Sequence, residues 1–103
     1  MIKLECIGRK DDSSFELEVI QNSIPQSCLE QVKDIEPHED NHFFIWGFVD
    51  YKDNKTKAGL FYWSDVEEDD YEIDYDFSEE EIKSMEDMLG DWILEQRELN
   101  LKG

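Results

Sequence analysis

Apolar and polar residues alternate with a period of two along most of the chain and switch to a helical period near its end. Ile2, Leu4 and Cys6 alternate with Lys3 and Glu5, and Phe15, Leu17 and Val19 alternate with Glu16 and Glu18. That period sets one face against a core and the other in water. It predicts a β-hairpin over residues 1–21, with "GRKDDSS" supplying turn chemistry. Residues 25–35, "PQSCLEQVKDI", predict a short helix. Pro25 suits a first helical position, Cys28, Leu29, Val32 and Ile35 fall at helical spacing, and Pro37 ends the run.

Residues 43–64 predict a second hairpin. Both "HFFIWGFVDY" and "AGLFYWS" are apolar or aromatic at both alternating sets of positions, with "KDNKTK" as the loop. Such strands lie centrally in a sheet, or keep one face under a helix and the other partly covered. Gly47 and Gly59 mark either bulges or close backbone approaches. "YEIDYDF" (71–77) then alternates cleanly, with Tyr71, Ile73, Tyr75 and Phe77 on one face and Glu72, Asp74 and Asp76 on the other. It predicts a fifth strand, buried on one side and anionic on the other. Ser78 and Glu81 fit a capping box, and Phe77 and Ile82 a hydrophobic staple. Ile82, Met85, Leu89, Trp92 and Ile93 form the stripe of a final helix. Gly90 inside that stripe costs about 1 kcal/mol relative to alanine, which close packing would offset. Beyond Arg97 the chain is expected to fray. The order β-β-α-β-β-β-α predicts one α+β domain over residues 1–103. Its antiparallel sheet has about five strands, with a short helix and a C-terminal helix packed on one face.

Composition agrees with a folded domain. A chain of 103 residues has room for one core. Thirteen aromatic residues separate it from disordered chains of similar charge. The net charge of −18 disfavours direct contact with nucleic acid or anionic lipid and favours a basic partner. The charge is also unevenly placed: residues 1–34 carry −3, residues 35–64 carry −2, and residues 65–103 carry −13. Cys6 and Cys28 lack CxxC spacing, "MIKLECIGRK" has no apolar signal region, and no apolar run has the length of a membrane span. These features predict a cytoplasmic protein whose two cysteines are free core thiols, a disulfide being open to them only in an oxidising compartment.

Candidate chemistry is sparse. "PHEDNH" places His38, Glu39, Asp40 and His42 together, but Pro37 and Asn41 predict a loop, where i,i+4 histidine spacing has no meaning. No metal is expected there. The acidic run lacks the glycine and spaced glutamate of a calcium loop. GxSxG, P-loop, HExxH and CxxC patterns are absent, so neither an enzyme nor a cofactor is expected.

What stands out is "SDVEEDDYEIDYDFSEEE" (64–81), with eleven carboxylates and no lysine or arginine. On a strand, Glu72, Asp74 and Asp76 would stand about 6.7 Å apart in a line. A nucleic-acid strand carries a charge about every 3.4 Å, and the flanking acids would supply the rest. The candidate partner-binding residues are Asp65, Glu67, Glu68, Asp69, Asp70, Glu72, Asp74, Asp76, Glu79, Glu80 and Glu81. Trp63, Tyr71 and Tyr75 are candidate aromatic anchors among them. In this compositional character the chain is similar to immunity proteins that neutralise nuclease toxins and to nucleic-acid mimics that block defence proteins. That similarity implies an acidic inhibitor occluding the basic surface of a nucleic-acid-processing protein. The alternative is a small intracellular adaptor whose acidity is incidental.

Overall fold

Five strands form close to where the alternation predicts them: β1 (Leu4–Asp11), β2 (Ser14–Val19), β3 (His42–Val49), β4 (Thr56–Ser64) and β5 (Asp69–Ile73). The computed structural model describes residues 1–50 and 52–102; Tyr51, counted within the expected third strand, lies outside them. The strands make one antiparallel sheet in chain order, β1-β2-β3-β4-β5. A 3-10 turn (Gln21–Ser23) and helix α1 (Gln26–Gln31) connect β2 to β3, and α2 (Glu79–Leu89) and α3 (Asp91–Lys102) follow β5. This is the expected α+β fold.

All three helices cover the same sheet face. Phe15, Leu17 and Val19 of β2, Phe43, Ile45 and Val49 of β3, Leu60 and Ile73 meet Cys28, Met85, Leu89 and Ile93 in one core. Full burial of a side chain such as Leu17, Ile45 or Leu60 stabilises the fold by about 1.5–3 kcal/mol. Gly47 resolves as a close approach, since the β2–β3 and β3–β4 registers run without a shift. A Cβ there would lie 2.4 Å from Phe15 Cζ and 2.5 Å from the Lys57 carbonyl oxygen. The space admits the Phe15 ring, which meets Trp92 edge-on at 5.9 Å between centroids.

Five expectations need correction. In β1 the register shifts between Leu4 and Cys6 and again between Ile7 and Arg9. Each such irregularity changes which side chains face the core, so Ile7 turns partly inward and Cys6 is exposed, opposite Glu18. Cys28 is therefore the only core thiol, and both cysteines are free.

The first helix is shorter than predicted, ending at Gln31, and Leu29 points outward at 40% exposure. The fifth strand starts two residues earlier than predicted and stops at Ile73. There the Gln31 side chain takes over both backbone groups of Asp74, donating to its carbonyl at 3.0 Å and accepting from its N–H at 2.7 Å.

The final helix is two. Gly90 adopts φ +56°, ψ −130°, a conformation no α-helix contains, and separates α2 from α3. The chain does not leave the helix after Arg97 either. Arg97 pairs with Glu86 of α2, Thr56 donates to the same carboxylate at 2.8 Å, and Asn100 donates to Asn54 at 3.2 Å. Those contacts hold α3 as far as Lys102. Among the described residues no helix is long and apolar enough to cross a membrane.

Candidate partner-binding face

The acidic run is folded and held by specific bonds. At the β4–β5 turn, Asp65 donates its N–H to Asn41 Oδ1 at 2.8 Å and accepts from Trp63 Nε1 at 3.3 Å. Glu67 donates its N–H to the buried Ser64 Oγ at 3.3 Å, and the Tyr71 hydroxyl donates to the Glu67 carboxylate. That bond, with smaller contributions from burial and the nearby charges, raises the Tyr71 pKa. Glu68 turns the corner at φ +54°.

Strand pairing then fixes directions. Trp63 pairs with Asp70 and Phe61 with Glu72, so all four lie on the sheet face away from the helices. Asp69 and Tyr71 belong to the other face of this edge strand. Of the expected line of Glu72, Asp74 and Asp76, only Glu72 stands on the strand, which stops at Ile73; all three border one recess with Ala58, Gly59, Ile73 and Tyr75. Glu79 and Glu80 are exposed in the first turn of α2.

One expected docking residue proves internal, and a second is bonded to it. Glu81 is only 4% exposed. Its carboxylate accepts from the Ile2 N–H at 2.9 Å, the Ser78 N–H at 2.8 Å and the Tyr75 hydroxyl at 2.7 Å, completing the capping box. Burial acts to raise its pKa, but bonds from Ser78, Tyr75 and Ile2 outweigh it and hold the carboxyl below its ordinary value. Tyr75 is half-buried, packs edge-on against Phe77 at 5.1 Å, and has its pKa raised by burial and then by Glu81. The pair joins the chain's start to α2, with the Glu81 carboxylate and the Tyr75 hydroxyl both taken up by internal bonds.

The open sheet face adds residues that sequence reasoning missed. On β3, Phe44, Trp46 and Phe48 point away from the helices, opposite Glu18, Glu16 and Ser14 of β2. Phe44 stacks with Phe61 at 5.7 Å, and Trp46 lies 5.6 Å from Phe48. Trp46 and Phe48 remain 37% and 36% exposed with no layer over them. Their signal was present: apolar residues on both faces of β3 and β4, but helices enough for only one. The face is therefore an aromatic centre between carboxylates from β2 and β5.

The histidines part company. His42 lies by Phe44 at 5.9 Å, whereas His38 gathers with Asp40 and Asp65 so that one candidate ligand atom of each lies within 4.8 Å of the others. The Asp40 N–H donates to His38 Nδ1 at 3.1 Å, which places the ring proton on Nε2, 3.5 Å from Asp65. The group closes the loop before β3 onto the β4–β5 turn. In the basic loop, Lys57 pairs with Asp53 at 3.3 Å.

No family model matches the chain, and neither a curated protein nor a solved structure does.

Proposed function

We propose that this chain is an acidic inhibitor that docks on, and occludes, the basic surface of a nucleic-acid-processing protein. The observation that carries the reading is that Asp70 and Glu72 stand on the same uncovered sheet face as Phe61 and Trp63. Carboxylates at that edge steer a basic surface to the face and set an on-rate that falls with salt. Exposed aromatics beside them provide the desolvated contacts that charge alone does not. Asp65, Glu67, Glu68, Asp74, Asp76, Glu79 and Glu80 extend the field around the edge. Two free cysteines suit a reducing, cytoplasmic setting. A nuclease toxin and a nucleic-acid-binding defence protein fit equally, and a toxin gene adjacent to the coding sequence would select the first.

The test uses the immobilised chain and its Asp70→Asn/Glu72→Gln variant at low and high salt. Partners held by the parent chain should be basic, should be lost from the variant, and should release a labelled DNA or RNA when the chain is added. Recovery of only neutral or acidic proteins, or of partners that keep their nucleic acid, overturns the proposal. Trp46 and Phe48 favour a second reading, an adaptor that binds through aromatics alone. Equal recovery by parent and variant would support that reading.

A further inference from the structure

We infer that the open sheet face holds a receptor for one arginine side chain of a basic partner, seated over Phe44 between Glu16 and Asp70. The inference rests on the proposed reading of the chain as a binder of basic proteins and names what that face grips. Two adjoining hollows lie on it. One is lined by Glu16, His42, Phe44, Trp63 and Asp70, and the other by Arg9, Glu16, Phe44, Trp46, Phe61 and Asp70. Glu16, Phe44 and Asp70 are common to both. A carboxylate from β2 and another from β5 thus border the same aromatic floor, built by the two strands between them.

Glu16 is half-buried, yet among the described residues its carboxylate has no hydrogen bond or ion pair, and neither has that of Asp70. Arg9 sits opposite Glu16 in the β1–β2 register without forming an ion pair to it. A carboxylate partly withdrawn from water and lacking a cation gains more from one than a fully hydrated carboxylate does. The aromatic floor specifies which cation. A guanidinium is planar, stacks on aromatic faces and carries donors along more than one edge, so it can rest on the floor and still reach carboxylates on both sides. A lysine ammonium is a hydrated point charge without that geometry. A second copy of the chain is the wrong occupant, because it would press two surfaces of the same sign together at −18 each.

Three tryptophans make the test internal. Trp46 and Trp63 are on the open face, while Trp92 packs against Phe15 on the helix side. Arginine and lysine oligopeptides of equal length are titrated into labelled protein at low salt, following backbone amides and indole Nε1–H resonances. With the arginine peptide, the Trp46 and Trp63 indoles should move and Trp92 should not. Trp46→Leu should weaken the arginine peptide about fivefold, the effect of one cation–π contact of roughly 1 kcal/mol, and Glu16→Gln by a similar factor through loss of an ion pair. The lysine peptide should change less, and Glu30→Gln, on the helix side, should leave both unaffected. Unchanged amide dispersion establishes that each variant is folded. Equal affinity for the two peptides, with shifts confined to residues 65–76, overturns the arginine receptor while the docking of basic surfaces stands. No binding of either peptide overturns both.

Discussion

Replacing Glu81 with glutamine keeps the side chain's size and removes its charge, which isolates what the buried carboxylate does. The parent carboxylate offers two acceptor oxygens to the N–H groups of Ile2 and Ser78 and to the Tyr75 hydroxyl. Glutamine offers one, so an amide NH2 must face one of the two backbone N–H groups. A buried donor left unsatisfied costs about 1–3 kcal/mol, and the remaining bonds fall from about 1.5–3 to about 0.5–1.5 kcal/mol each without charge assistance. Glu81→Gln should therefore lose about 3 kcal/mol, a large share of the roughly 5–15 kcal/mol a domain has.

Acid sets the sign of a second expectation. The folded carboxyl titrates below its ordinary value, so its stabilisation is fully present above the unfolded pKa and disappears as pH falls through the folded one. The gap between parent and variant should be widest near neutrality and should narrow as pH falls below the ordinary carboxyl range, because protonated Glu81 resembles glutamine. The remaining acids are the same in both proteins and largely cancel in the difference. Urea unfolding followed by far-ultraviolet circular dichroism measures the gap, with equal m-values showing that only stability has changed. A neutral-pH gap below about 0.5 kcal/mol, the size of an ordinary surface substitution, or one that stays constant as pH falls below the ordinary carboxyl range, would refute the reasoning.

Other positions give independent expectations. Gly47→Ala should cost about 1–3 kcal/mol in the same urea assay, because its methyl meets the Phe15 ring and a backbone carbonyl that cannot yield. Gly90→Ala should also cost about 1–3 kcal/mol through strain at positive φ; unchanged stability with added helical signal would mean that α2 and α3 fuse. A thiol reagent should label one cysteine in the native protein and two in denaturant, since Cys28 is fully buried and Cys6 exposed. Cys6 should react slowly, because its hydrogen bond to Glu18 at 2.6 Å, then burial and nearby acids, raises its pKa; Glu18→Gln should speed it.

Local patterns were legible in the sequence, and contacts between distant segments were not. Phe15, Leu17 and Val19 alternate without interruption and lie on the helix side as read. In β1 two irregularities invert that logic, and only Gly8 interrupts the pattern where one of them falls. The Ser78–Glu81 box was recognisable from four residues, but its burial depends on Ile2, seventy-nine positions away. For that reason Glu81 looked like part of the acidic surface. The same limit hid how open the aromatic face is: apolar residues on both sides of β3 and β4 marked strands inside the sheet, and did not say that Trp46 and Phe48 would lie on an uncovered face. How many layers cover a sheet is a property of the whole chain. The acids of β5 were found by counting charge, while Glu16 was hidden in a strand whose inward residues explained its alternation.

The pairing of Ile2 with Glu81 also bears on the order of events in folding. Each strand lies beside its predecessor in the chain, so the sheet can assemble through successive local closures, a topology associated with rapid folding. The bond from Ile2 to Glu81 instead requires the two ends of the molecule to meet, after the helix carrying Glu81 has docked. It acts as a latch on a finished structure. Weakening it should raise the rate of opening far more than it slows assembly, and loss of Ile2 amide protection against exchange should be an early sign that the molecule is coming apart.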